Sequence, residues 1–268
     1  AIGVVGIITP WNVPLGIASW KIATALTCGC TVLFKPSSQT PLVSLWLVEA
    51  YREIGLPPGV LNFVTGPGSA VGNAIANHPD IKAISFTGSN GVGLAINQLV
   101  AKRGARFQAE MGGKNPFVVL EDADLELATD HAIAGGFGES GQRCTATSRI
   151  IVLKTVAEEF IALLKKKVES MNVGNPIKEG TQMGPVIDQG SMESILKYID
   201  IAKKENGVLV TGGERLTEGE HALGYFVAPT VFRNITPDMT IAQEEIFGPV
   251  ISVMEVDDYE QAMEWANN

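Results

Sequence analysis

The feature that most constrains this chain is an alternation running through residues 3–110. Near-continuously apolar, β-branched runs at 3–9, 31–34, 60–64 and 82–86 each give way to a turn and then to helical spacing, at 15–28, 42–54, 69–77 and 91–102. Strands that are apolar along their length and separated by helices predict a parallel sheet covered on both faces. Stop signals agree: Gly29 closes the first helical segment, and Gly55 followed by Pro57 and Pro58 closes the second. In such sheets ligands bind outside the carboxyl ends of the strands. The turns of interest are therefore Pro10-Trp11-Asn12, Lys35-Pro36-Ser37-Ser38, Thr65-Gly66-Pro67-Gly68 and Thr87-Gly88-Ser89.

A second α/β unit is expected after Gly112-Gly113, giving domains over 1–112 and 113–268. It carries strands at 117–120, 149–153, 208–210, 229–232 and 251–256. Its helices are expected at 124–137, at 156–171 with Lys165, Lys166 and Lys167 on the polar side, and through 192–204. The chain opens without Met in an apolar run and stops inside a helical pattern with no glycine cap, so both ends read as cut from a longer protein. Residues 1–20 carry no charge, yet Pro10, Asn12 and Pro14 interrupt them and no basic n-region precedes them. Neither a signal peptide nor a membrane span is expected.

Composition narrows the function classes. Apolar residues are 46% and charged residues 18% of the 268, enough for a sizeable core. A net charge of −9 lacks the basic footprint of a nucleic-acid binder and the polybasic patch of a lipid binder. Three cysteines are an odd, sparse set that favours a reducing, cytoplasmic compartment over a disulfide scaffold. Cys28 and Cys30 form C-x-C with no second pair and read as core thiols, so no metal site is expected. His78, His131 and His221 carry no motif.

Two stretches point to chemistry. ISFTGSNGVG places Gly88, Ser89, Gly91 and Gly93 between a strand and a helix, where free N–H groups suit a phosphate. The spacing is not GxGxxG, and a glycine-rich turn without ligand reads the same way. Lys35, at a strand end, is either a cation for ribose or phosphate or a solvated loop charge. ESGQRCTATSR surrounds Cys144 with small and polar residues, unlike the apolar setting of a structural thiol; it is a nucleophile helped by Arg143, or an ordinary loop thiol. Glu110 closes an apolar strand ahead of Met111-Gly112-Gly113. Burial there would raise its pKa into the range useful for moving protons; otherwise it is an ordinary strand-end carboxylate.

PWN (10–12), KPS (35–37), FTGS (86–89), EMGGK (110–114), GQRC (141–144) and EEIFGPV (244–250) occur in the order found in the aldehyde dehydrogenase superfamily. EMGGK resembles that family's glutamate signature and GQRC its cysteine signature. The resemblance covers essentially the whole chain and implies an aldehyde dehydrogenase fold incomplete at both ends: a parallel Rossmann-like NAD(P)-binding domain over 1–112 and an α/β catalytic domain over 113–268. It also implies a homo-oligomer, dimer or tetramer, for the full-length protein.

The resemblance implies roles residue by residue. Cys144 attacks an aldehyde, and Asn12 with the Cys144 N–H holds the oxyanion. Hydride passes to nicotinamide, and Glu110 activates water against the resulting thioester. Glu110 and Cys144 must therefore meet in one cavity. Lys35 binds the adenosine ribose, Gly88, Ser89 and Val92 lie at the cofactor, Glu245 holds the nicotinamide ribose and Phe247 packs near the nicotinamide. Trp11 is a wall of that pocket or a core tryptophan. Relatives that prefer NAD often carry Glu three residues after the lysine, where this chain has Ser38. Serine removes a carboxylate that repels a 2′-phosphate and adds a hydroxyl donor, so NADP is expected to be accepted beside NAD, or preferred to it. GQRCTATSR is similar to the form in α-ketoglutaric semialdehyde dehydrogenases, and Arg143 would attract a substrate carboxylate or turn inward to pair with an acid. Succinate semialdehyde, other small aldehydes, and a non-catalytic relative of the same fold are the alternatives.

Overall fold

The first apolar run, Val4–Ile8 (β1), lies at the centre of a parallel sheet in a computed structural model that describes all residues from Ala1 to Asn268. Around it the chain supplies Gly16–Thr27 (α1), Thr31–Lys35 (β2), Pro41–Glu53 (α2), Leu61–Phe63 (β3), Asn73–Asn77 (α3), Ile81–Gly88 (β4), Asn90–Lys102 (α4) and Arg106–Met111 (β5). The strand order is β3-β2-β1-β4-β5, every pair parallel. The two faces of β1 serve two cores. Val5 and Ile7 pack with Ala18, Ile22, Val32 and Phe34; Ile8 packs with Ile84, Phe86, Ile96 and Val100 on the other side. This is why the run is apolar throughout rather than alternating.

The second unit spans Gly113–Asn268; the first is Ala1–Gly112. Its elements are Asn115–Val119 (β6), Leu125–Phe137 (α5), Thr147–Leu153 (β7), Lys154–Glu169 (α6), Gln189–Lys204 (α7), Val208–Thr211 (β8), Thr230–Arg233 (β9), Thr240–Gln243 (α8), Val250–Val256 (β10) and Tyr259–Ala266 (α9). The sheet order is β6-β7-β10-β9-β8, parallel except for β8, which runs antiparallel to β9. Asp124, Asp188 and Asp258 start α5, α7 and α9, each side chain accepting from the N–H three residues on. Buried Ile150, Val152, Ile251 and Val253 face one helix layer, and Ile151, Val250, Met254 and Val256 the other.

Two expectations need correction. The segment expected as one helix over 69–77 is a π-turn at Gly68–Gly72 followed by the short α3, because glycines at both ends of the first turn favour no regular helix. Cys28 is not a core thiol: α1 ends at Thr27, Cys28 caps it and is exposed, and only Cys30, leading into β2, is buried. No helix is long and apolar enough to cross a membrane.

Candidate active site

In the first unit the strand order reverses between β1 and β4, so the loops after β1, β2 and β4 border one crevice. Lys35 is the last residue of β2 and is buried, which rules out a solvated loop charge. Its Nζ donates to the Pro36 carbonyl at 2.8 Å, and burial lowers its pKa. The Thr9 N–H donates to the Lys35 carbonyl at 3.2 Å, tying the β1 and β2 ends together. Ser38 is exposed and donates its Oγ to the Gly66 carbonyl at 3.1 Å. Trp11 and Asn12 are half-buried between β1 and α1; Trp11 is not a core tryptophan.

Gly88 closes β4. A Cβ there would lie 2.6 Å from a ring carbon of Phe86, so the glycine is sterically required. Ser89 caps α4 in an extended conformation with no side-chain hydrogen bond to the helix, and Val92 on the first turn is 51% exposed. Beside this N-terminus the hydroxyls of Thr9 and Thr87 are buried without a hydrogen-bond partner. Orphaned donors, a bare helix start and a buried ammonium fit the polyanionic spine of a dinucleotide.

Glu110 lies on β5 in register with Thr87. The expected burial is absent: β5 is an edge strand, and Arg106, Gln108 and Glu110 share its exposed face. The carboxylate is instead held by a relay that sequence reading missed. Gln108 Nε2 donates to Glu110 Oε1 at 3.0 Å; Gln108 Oε1 accepts from Ser85 Oγ at 2.6 Å and from Lys21 Nζ at 3.0 Å. Lys21 Nζ also donates to Ser85 Oγ at 2.8 Å. Burial lowers the Lys21 pKa, and Glu110 acts in the opposite direction. The available signal was that Lys21 is the only charged residue before Lys35.

In the second unit Cys144 is exposed at the end of a strained turn. Glu139 (φ 53°), Ser140 (φ 60°) and Gly141 (φ 69°) are consecutive left-handed residues, a conformation that persists only when surroundings enforce it. Ser140 Oγ donates to the Gly184 carbonyl at 2.9 Å. Gln142 donates to the Glu139 carbonyl at 3.1 Å and accepts from the Ile187 N–H at 2.9 Å. Arg143 turns inward, but to carbonyls rather than an acid: Nη2 donates to Ala134 at 2.8 Å and Gly135 at 3.2 Å, at the end of α5. Asn115, at the start of β6, donates Nδ2 to the Cys144 carbonyl at 2.7 Å and the Ala146 carbonyl at 3.0 Å.

Glu245 and Phe247 pack beside this turn. With Gly113, Gly141, Arg143, Ala146 and Gly248 they line one small cleft. A Cβ on Gly141 would sit 2.2 Å from the Gly248 carbonyl oxygen. Phe247 is itself left-handed (φ 55°), costly for a bulky residue. Burial raises the Glu245 pKa, while the Gly113 N–H and the Lys114 charge pull it back. Lys114 has its Nζ shielded from solvent with no hydrogen-bond partner. Its pKa is pushed down to about 7, chiefly by burial and further by Arg149, against Glu245 and Glu244.

A model of the aldehyde dehydrogenase family matches residues 1–268. The chain belongs to the aldehyde dehydrogenase family. Family relatives include α-ketoglutaric semialdehyde dehydrogenase of Bacillus subtilis, 47% identical over all of this chain and 55% of that protein. Aminoaldehyde dehydrogenase 2 of Pisum sativum is 43% identical over all of this chain and 53% of its own length. The crystal structure of betaine aldehyde dehydrogenase from Staphylococcus aureus in complex with NAD+ superimposes with a TM-score of 0.98 at 40% identity, covering 100% of this chain and 53% of that one. The chain thus spans about half the length of the curated aldehyde dehydrogenases it matches.

Proposed function

We propose that the protein carrying this chain oxidises an aldehyde to a carboxylic acid with NAD(P), through a thioester on Cys144. The observation that carries the reading is an exposed cysteine on a turn whose Gly141 and Arg143 line one cleft with Glu245 and Phe247. Residues 1–112 form part of the dinucleotide-binding domain and 113–268 part of the catalytic domain.

The Cys144 thiolate attacks the aldehyde carbon and forms a C–S bond. The Asn12 amide and the Cys144 N–H take the charge that develops on oxygen, each such donor worth about 3–4 kcal/mol. A bound nicotinamide supplies the two-electron acceptor for the hydrogen that leaves carbon. Lys35, Ser38, Gly88, Ser89 and Val92 hold the adenosine and pyrophosphate portion, while Trp11, Glu245 and Phe247 place the nicotinamide end. Glu110 then takes a proton from water, which cleaves the thioester and frees the acid and the thiol.

Ser38 supports acceptance of NADP beside NAD, because the residue three positions after Lys35 brings no carboxylate that would repel a 2′-phosphate. A semialdehyde of the α-ketoglutaric kind is the proposed substrate, resting on the GQRCTATSR form and on the relative from Bacillus subtilis. Arg143 is not its carboxylate anchor, since Arg143 Nη2 is committed to α5. The test is growth of NAD(P)H absorbance when semialdehydes are added to the whole protein carrying this chain. Turnover dependent on Cys144 is expected; turnover that survives Cys144→Ala, or none with any aldehyde, overturns the reading.

A further inference from the structure

We propose that Asn115 is a positioning residue for the Cys144 nucleophile, fixing the peptide plane that follows it. This deepens the reading above and rests on Cys144 as the acylated group. The chain before Cys144 is held by Gln142 and Arg143, through the bonds to Glu139, Ile187, Ala134 and Gly135. Past the thiol the turn is closed by the Ala146 N–H donating to the Arg143 carbonyl at 3.0 Å, which leaves the Cys144 and Ala146 carbonyls to be held from outside the turn. The Cys144 carbonyl makes its hydrogen bond to Asn115 Nδ2 at 2.7 Å, and the same nitrogen reaches the Ala146 carbonyl at 3.0 Å. One planar amide thus spans both ends of the turn.

The residue type follows from the demand. Two converging carbonyl oxygens need two hydrogens from one small group of fixed direction, and a primary amide supplies them without a charge. Aspartate has the same shape but only acceptors, so it would set a carboxylate against two carbonyl oxygens. Serine supplies one hydrogen. Asn115 is also fixed from behind: it begins β6 in register with Thr147, and its own carbonyl accepts from Ser148 Oγ at 3.3 Å. The amide therefore ties the nucleophile turn to the sheet. Thiol direction relative to the Cys144 N–H matters for acylation, where attack and oxyanion capture occur together. It matters little for alkylation by a small reagent, which needs only an exposed sulfur.

The experiment compares two reactions of Cys144 in the whole protein carrying this chain. One is acylation by 4-nitrophenyl acetate, read as the burst of nitrophenolate; the other is alkylation by iodoacetamide, read at the Cys144 peptide by mass spectrometry. Asn115→Asp is expected to slow acylation at least tenfold while alkylation changes less than threefold and NAD binding is unchanged. Asn115→Ser, which keeps one donor, is expected to fall between wild type and Asn115→Ala. It also remains informative should the Asp variant not fold. Acylation within twofold of wild type in the Asp, Ala and Ser variants overturns the inference. So does a fall in acylation and alkylation together with the melting temperature, the mark of general loosening. A wild-type protein with no Cys144-dependent acylation would instead overturn the functional reading and this inference with it.

Discussion

Gln108 stands between Lys21 and Glu110: its carbonyl oxygen accepts from the lysine at 3.0 Å and its amide donates to the glutamate at 3.0 Å. Because the amide is pinned from the lysine side, the carboxylate has a fixed partner despite its exposed strand. Gln108→Leu removes both links without adding charge. The expected outcome is a turnover number lowered about tenfold, within the range general-base assistance supplies, with the first-turnover burst of NAD(P)H retained. Stopped-flow absorbance separates the two; loss of the burst would place Gln108 before thioester formation.

Glu110→Gln goes further along the same line. It should leave acylation of Cys144 intact and slow thioester hydrolysis by roughly 100-fold or more. Intact mass spectrometry during turnover should then show the acyl adduct accumulating on the protein. A variant that turns over like wild type would assign the base elsewhere.

Ser38→Glu tests cofactor choice. A carboxylate at this exposed position repels a 2′-phosphate, so kcat/KM with NADP should fall by about tenfold or more while NAD is little affected. An unchanged ratio of the two efficiencies would show that Ser38 does not face the adenosine ribose.

Lys114 predicts a pH effect on stability. Its folded pKa of about 7 lies below the ordinary 10.5, so between these values the unfolded chain binds more protons than the folded one. Stability contributed at this position therefore rises with pH through that window, and the cost of burying the ammonium is full below pH 7. Lys114→Met should raise the melting temperature by a few degrees at pH 6–7 and lose that advantage toward pH 10. Calorimetry across the range checks this; a constant difference refutes it.

Gly141→Ala combines a left-handed backbone with a methyl placed 2.2 Å from the Gly248 oxygen. A loss of about 2–4 kcal/mol is expected from strain and overpacking, read as a lower denaturant midpoint.

The alternating architecture was legible because strands buried on both faces are apolar at every position and Gly or Pro stops the helices between them. Gly88 and the bare start of α4 were legible for a similarly local reason, since glycine after a strand allows a tight turn and close approach of a ligand to the N–H groups that follow. The relay from Lys21 to Glu110 was not. Its members lie on α1, β4 and β5, and only the pairing of Ser85 with Gln108 in the sheet brings them together. The exposure of Glu110 was hidden too, because ARFQAE reads as buried unless β5 is known to be an edge. Lys114 beside two glycines looks like a loop charge, and nothing local reveals that its ammonium is enclosed. Arg143 illustrates the same limit: adjacency to Cys144 suggested a catalytic partner, whereas its guanidinium caps a helix.

The contact between Gly141 and Gly248 leaves no space even for a methyl group, although the two glycines are far apart along the chain. Neither segment is a free module for engineering. A chimera that swaps the cysteine turn for that of another family member must import the matching Glu245–Gly248 stretch as well, or the graft will collide with its host.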